Sequence, residues 1–379
     1  MKRKKRDMFD ELAERFRGEG VSAPCAHFGE CGGCLFQDIR YGDQLLLKRE
    51  WLRGVLSGVC DVGDVGASDP LSYRNRMDMV SAFGASGLRV RGSFRRVVDV
   101  RSCEIMQERS RRAFMDMKPL LAATPGYDYL RHEGFLRYTV LRQARFTNEL
   151  MINFVTASRE DRLGALAEAA CGMADSVSLI LNEGLADLNT GEVYAVLKRG
   201  RIEEDFDGVR YEISPNSFFQ SNSEIARVMY REIRDQVKGR VLDLYSGVGS
   251  ISLFAACAAE HVTGVEMSAE GVDTARANAE LNGIANAEFV CADALDFLRE
   301  RAAGFDTLVL DPPRGGVHPK AVKRVNECAP EKIVYMSCNP VTFRDDVKLL
   351  ENYRVESFRA WDMFPQTPHV ETLAVLKRK

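Results

Sequence analysis

The sequence predicts an α/β protein: a C-terminal Rossmann-like domain, preceded by a mostly antiparallel α+β region and a small cysteine-organised N-terminal segment. Three observations carry this. After Gly239 strand-like runs alternate with Gly-rich turns and helical runs, from about 65 to 215 short alternating runs dominate, and Cys25, Cys31 and Cys34 cluster ahead of both. The expected division is 1–64, 65–215 and 216–379, and a chain of 379 residues is long enough for two or three domains.

Residues 1–64 read as a short charged helix, the cysteine cluster C-x5-C-x2-C, and a second helix from Tyr41 to Leu56. The N-terminus MKRKKRDMFDELAERF is basic but lacks the apolar stretch of a secretory signal, and no apolar run approaches the ~18 residues of a membrane span. A cytoplasmic monomer is expected. In a large chain without a signal, ten cysteines point to free thiols, metal or catalysis rather than disulfides.

In the middle region MDMVSAF, LRVRGSF, RRVVDV, LRYTVLRQARF, ELMINFVT, SVSLILN and EVYAVLK alternate as antiparallel strands do. The alanine-rich stretch Arg162 to Met173 reads as a helix packed on them. A net charge of -3 gives no global attraction to nucleic acid, so an RNA partner has to be met by a local basic surface. Arg74, Arg76, Arg89, Arg91, Arg95, Arg96 and Arg101 could supply one, although solvated element faces explain most single arginines. ISPNSFFQSNSEIARVMYREIRDQV then passes through a polar turn into an amphipathic helix.

Beyond it RVLDLY, HVTGVE, AEFVCA, TLVLDP and KIVYMS read as strands of a parallel sheet built from βαβ units, followed by a late pair near YRVESFRAW and TLAVLK. The first βα turn places Asp243, Gly247 and Gly249 where glycines allow close backbone approach to a ligand. Glu266, about 20 residues on, ends the next strand and suits two ribose hydroxyls. Asp293 follows the third strand and could accept from an adenine amino group. Helix capping by these carboxylates is the competing reading. A site lined with carboxylates favours a sulfonium cation over a diphosphate, and therefore S-adenosylmethionine over a dinucleotide.

At the same sheet edge, LDPPRGG exposes Asp311 ahead of two fixed prolines and Arg314, and KIVYMSCNP carries Cys338 just past its strand. A cysteine after a buried strand is most often inert. At a cofactor edge, however, a thiol is what an unactivated pyrimidine needs: addition to C6 makes C5 nucleophilic toward a methyl group. A base must then take the C5 proton, and DMFPQTPHVETLAVL offers His369 and Glu371. Methylation of a base amino group, and an RNA-binding protein without activity, are the alternatives. Phe218 or Phe364 could stack on a flipped base, with a core role as the plainer reading for each.

The set Asp311-Pro-Pro-Arg314, Ser337-Cys338-Asn339-Pro340 and Asp362-Met-Phe-Pro365 through His369-Val-Glu371-Thr372 resembles the RNA uracil-5 methyltransferase family, as do Gln220 in FFQSN and the Tyr73-Arg-Asn75 stretch. The resemblance implies a class I methyltransferase domain that transfers a methyl group from S-adenosylmethionine to C5 of a uridine, in ribosomal RNA (23S favoured) or transfer RNA. It implies Cys338 as nucleophile, Glu371 as proton acceptor, and Gln220, Tyr245, Gly247, Ser250, Glu266, Asp293 and Asp311 as residues lining the cofactor and uracil pocket. Ser250 stands where the family often has asparagine. Cys25, Cys31, Cys34 and Cys103 fit the family's four ligands to a [4Fe-4S] cluster; zinc also accepts four thiolates. The stretch before Cys25 is short for the small β-barrel that some members carry, so RNA docking is expected to rest on the central region.

Overall fold

The computed structural model describes residues 8–18, 20–160, 162–301 and 304–379. The basic run Lys2 to Arg6 lies outside them. Two sheets organise the chain.

The larger has eight strands in the order Val65–Gly66, Tyr353–Trp361, Glu371–Arg378, Lys332–Ser337, Thr307–Leu310, Arg240–Leu244, His261–Glu266 and Ala287–Cys291. Its residues alternate between two apolar layers, as strands buried on both faces require. Val241, Val309, Val334 and Met336 join the layer that includes the helices Ser223–Gln236, Ser250–Ala256 and Ala269–Leu281. Leu242, Leu308, Leu310, Ile333 and Tyr335 join the opposite one, with Pro319–Cys328 and Pro340–Leu349. The result is a three-layer doubly wound domain. Its sheet is mixed: Glu371–Arg378 runs antiparallel to both neighbours, inserted between Lys332–Ser337 and Tyr353–Trp361. Insertion of the last strand beside the fifth βα unit is not legible in a run of strand-like segments.

The second sheet takes seven strands between Arg76 and Lys198. It is antiparallel throughout except for one step, Leu150–Thr156 beside Ser176–Leu181. One face, with Met77, Met79, Ile152 and Phe154, is covered by the anticipated helix Gly164–Met173 and by Glu108–Ala123. The latter escapes the sequence reading because it opens on ERSRR and carries Pro119 inside. Also unanticipated is the hairpin Ile202–Phe206 with Val209–Ile213, which packs into the same core as the helices of the larger sheet.

The N-terminal helices Met8–Phe16 and Tyr41–Val55 lie where expected, the second against the large sheet's apolar layer. Its buried face carries two polar residues, Gln44 and Lys48, at i and i+4. Among the described residues no helix is long and apolar enough to cross a membrane.

Candidate active site

All parallel strands of the large sheet end at one edge, and the loops leaving them bring the expected residues together. After Arg240–Leu244 the backbone turns sharply, with Tyr245 at φ 68°, Gly247 at 55° and Gly249 at 77°. A Cβ at Gly249 would stand 2.9 Å from Ala275 and Phe289, so its absence allows helix and sheet to pack. A Cβ at Gly247 meets nothing within 4 Å, so this glycine borders open space.

The turn is tied to the next strand. Tyr245 and Ser246 donate their N–H groups to the Val265 carbonyl at 2.9 and 3.0 Å, and Gly247 N–H donates to Glu266 Oε2 at 3.1 Å. Glu266 Oε1 accepts from Ser268 N–H at 2.8 Å, which holds the carboxylate at the strand end. Asp243 is fully buried and accepts from Ser252 Oγ at 2.5 Å; burial pushes its carboxyl up to about 7. Asp293 is exposed and caps its own helix through Leu295 and Asp296 N–H at 2.9 and 3.2 Å. The capping reading therefore holds for one of its oxygens. Ser250 is drawn into the core, its Oγ 3.0 Å from Tyr230 Oη.

The residues fit a nucleoside carrying a cationic centre. Ser246 Oγ is buried without a partner beside the open space at Gly247, and Asp243, Glu266, Asp293 and Asp311 provide acceptors and negative charge with no cation among them.

Next along the edge, Asp311 follows Thr307–Leu310, and Cys338 follows Lys332–Ser337. The antiparallel register pairs Ser337 with Thr372, and Thr372 Oγ1 donates to the Ser337 carbonyl at 3.0 Å. One further step along both strands sets Cys338 opposite Glu371. The three acids feel one another. Burial first, then Glu371 and Asp311, push the Cys338 thiol up to about 11, with Arg314 opposing. Burial and then Asp243 raise Asp311 to about 7. Glu371, 2% exposed, is held well above the ordinary carboxylate range by burial and then Asp311. Its strand is interior, which is why it is not the solvated charge an edge strand would carry. Arg314 Nη2 lies 3.1 Å from His369 Nδ1, and Asn339 Nδ2 donates to the Arg314 carbonyl at 3.0 Å.

Gln220 reaches this edge from the loop before Ser223–Gln236. It is buried, and its carbonyl accepts from Asn75 Nδ2 at 2.8 Å, joining the two sheets at the Tyr73-Arg-Asn75 stretch. Phe218 is 69% exposed and so free of the core role, whereas Phe364 is partly buried against the core.

The loop Asp362–His369 forms one wall of the site and is gripped by residues that the sequence did not single out. Lys48 Nζ donates to Asp362 Oδ1 at 2.5 Å, both side chains fully buried. Gln44 Nε2 donates to Gln366 Oε1 at 2.9 Å, while Gln366 N–H donates to Gln44 Oε1 at 3.1 Å. Leu35 N–H donates to the Gln366 carbonyl at 2.7 Å and Tyr73 Oη to that of Pro365 at 3.0 Å. Gln366 itself sits at φ 68°. The available signal was two polar residues at apolar-face positions of QLLLKREWL.

Cys25, Cys31, Cys34 and Cys103 line one small cavity of about 20 Å³, together with Leu88, Val100 and Ile105. Gly33 N–H points at Cys31 Sγ, 3.4 Å away. Burial and the neighbouring thiols raise Cys34 to about 11 and Cys103 to about 12. Among the described residues no three His, Cys, Asp or Glu side chains stand close enough to hold a single metal ion.

Comparison with known proteins places this geometry. The profile of a family described as tRNA (Uracil-5-)-methyltransferase matches residues 196–379. The tRNA (uracil(54)-C(5))-methyltransferase of Pyrococcus furiosus is 38% identical over 94% of this chain and 86% of its own length. The 23S rRNA (uracil(747)-C(5))-methyltransferase of Pyrococcus horikoshii is 34% identical over 95% and 86%. The crystal structure of Pyrococcus abyssi tRNA (uracil-54, C5)-methyltransferase, in complex with S-adenosyl-L-homocysteine, superposes with a TM-score of 0.80 at 35% identity, covering 92% of this chain and 86% of that one. A chain this similar over nearly its whole length to characterised members belongs to the S-adenosylmethionine-dependent RNA uracil-C5-methyltransferase family.

Proposed function

We propose that the chain methylates C5 of a uridine in RNA through a covalent bond between Cys338 and C6 of the base. The observation that carries this is the register of two antiparallel strands, which sets Glu371 opposite Cys338 beside Asp311. Bound S-adenosylmethionine supplies an electrophilic methyl group, and Gly247, Glu266, Asp293 and Asp311, with Gln220 and Tyr245, are the residues that would hold it and the uracil.

The Cys338 thiol gives up its proton to solvent and its sulfur adds to C6, so the C5–C6 double bond opens and its electron pair is delocalised over C5 and the C4 carbonyl; C5 then takes the methyl group, whose bonding pair stays on the donor sulfur as it departs as a neutral thioether. Arg314 acts on both this thiol and Glu371 and favours the thiolate. Once C5 bears both methyl and hydrogen, Glu371 takes the C5 proton, the double bond re-forms, and the Cys338 thiolate leaves. Burial makes Glu371 a stronger base than a solvated carboxylate, which suits it to hold that proton. The flipped base needs a flat partner, and the exposed Phe218, two residues before Gln220, is available for it.

Both RNA classes have support. The relatives at 38% and 39% identity named for uridine 54 of tRNA favour transfer RNA, and the relative at 34% named for 23S rRNA keeps the ribosomal reading open. The cysteine cavity supports a [4Fe-4S] cluster held by Cys25, Cys31, Cys34 and Cys103. Four thiols sharing one cavity suit either a [4Fe-4S] cluster or zinc, and the resemblance of the four-cysteine pattern to the family's favours the cluster. Iron and acid-labile sulfide analysis of anaerobically purified protein tests this; zinc in their place would overturn it.

The test of the reaction is RNA carrying 5-fluorouridine. It should form a denaturant-resistant complex with the wild-type chain and none with Cys338→Ala. A turnover-competent Cys338→Ala variant would sink the mechanism. Mapping 5-methyluridine in tRNA and rRNA from cells with and without the gene decides the substrate.

A further inference from the structure

A groove of about 680 Å³ lies between the cysteine segment and the seven-stranded sheet, away from the cofactor loops. Its lining joins Gly33 and Leu35 of the cysteine segment to the turn from Val90 to Phe94, the two tied by Gly32 N–H donating to the Arg89 carbonyl at 3.0 Å, and Asp78, Val80 and Tyr138 of the sheet complete it. At its mouth Phe94 is 48% exposed, unusual for so large an apolar ring. The ring is held from the protein side: the Arg89 guanidinium lies 4.4 Å from its centroid, and Tyr129 meets it edge-on at 5.8 Å.

The charge around it is lopsided. Both acids of the groove are already neutralised, Asp78 by Arg76 at 2.9 Å and Asp187 by Arg89 at 2.8 Å. Arg91 and Arg95, exposed on the same turn, have no ion-pair partner among the described residues, and Arg96 has only a long surface contact of 3.6 Å with Glu30. A held aromatic ring beside free guanidiniums is the surface that single-stranded nucleic acid takes: a base on the ring, phosphates on the cations.

The sheet strand and the cysteine segment both lead toward the active site. The strand Arg76–Ala82 starts next to Asn75, whose amide holds Gln220, and Leu35 is hydrogen-bonded to Gln366 of the catalytic loop. At a strand rise of about 3.3 Å per residue, Val80 lies roughly 17 Å along the strand from Asn75, a reach of a few nucleotides.

We propose that this groove binds nucleotides flanking the target uridine, with one base stacked on Phe94 and the adjoining phosphates on Arg91 and Arg95. This rests on the RNA-substrate reading above. It gives the cysteine segment a second task, as one wall of an RNA channel.

The test uses the RNA in which the methylated uridine maps and a hairpin trimmed to its target loop. With the long RNA, Phe94→Ala should raise KM about tenfold, from the loss of one stacked base, and raise it more than it lowers kcat. Phe94→Trp should restore KM. Arg91→Ala with Arg95→Ala should flatten the salt dependence of binding by about 0.7 per lost phosphate contact. On the trimmed hairpin, wild type and Phe94→Ala should converge. An unchanged KM on the long RNA, or an equal rise on both RNAs, would overturn the proposal, with urea midpoints reporting any folding defect separately. Trapping of the wild type by 5-fluorouridine RNA is unaffected by either result, so failure of the groove is distinguishable from failure of the chemistry.

Discussion

Replacing Lys48 by methionine asks whether the N-terminal helix sets the catalytic wall or merely rests on it. The ion pair with Asp362 is 2.5 Å long with both side chains fully buried, and besides Lys48 the carboxylate is approached by the Tyr41 hydroxyl and the Phe364 N–H, neither of which carries a compensating charge. Methionine fills a similar volume, so packing is nearly conserved and the change isolates the charge. It leaves a carboxylate stranded in a dry site, at a cost of about 3–5 kcal/mol, against about 0–1 kcal/mol for a solvent-exposed pair. A domain of ordinary stability, about 5–15 kcal/mol, survives that loss at low temperature, although with a much lower urea midpoint. The double variant Lys48→Met with Asp362→Leu removes both charges and should recover most of the loss, giving a large coupling energy in a double-mutant cycle. A Lys48→Met variant within about 1 kcal/mol of wild type would refute the assignment of this pair as a structural clamp.

Four shorter predictions follow from the site. Glu371→Gln should still bond to unmodified RNA and transfer the methyl group but release product about 100-fold or more slowly, so a methylated, denaturant-resistant complex accumulates on gels; rapid release would show another base. With the Cys338 thiol near 11, the thiolate is only about one part in ten thousand at pH 7, so single-turnover rates should climb nearly tenfold per pH unit from 6 to 9; a flat profile would mean that bound RNA lowers the thiol first. Asp243 and Asp311, raised to about 7, hold their protons more tightly when folded, so their contribution to stability is full below about pH 4 and lost as pH rises through about 7. Thermal melts of the ligand-free protein should follow that decline, and bound S-adenosylmethionine should reduce it. Cys103→Ser should lower the melting temperature and abolish any bound iron; unchanged iron content would remove Cys103 from the ligand set.

Legibility in the sequence followed the range of the interactions concerned. The strands of both sheets announce themselves because burial on one or both faces imposes a local pattern. Cys338 and Glu371 could be read because each sits at the end of such a strand within a compact motif. Their mutual placement could not, since it depends on the last strand reversing direction between two others. Gln44 and Lys48 gave only the weak sign of polarity on an apolar face, because their partners Gln366 and Asp362 lie more than 300 residues away. Phe218 illustrates the opposite error: one of two adjacent aromatics suggests a core role by default, and only the fold exposes it.

The pairing of Lys332–Ser337 with Glu371–Arg378 also decides where this chain can tolerate change in length. Side chains on a strand switch faces at every residue, so a single insertion between Thr372 and the chain end would shift the ladder and turn a wanted carboxylate away from the sulfur. The turns between Leu349 and Tyr353, by contrast, lie outside that ladder and could lengthen without touching the chemistry. Natural variation in loop size among relatives is therefore expected to concentrate there, with the closing hairpin of the sheet kept at constant length.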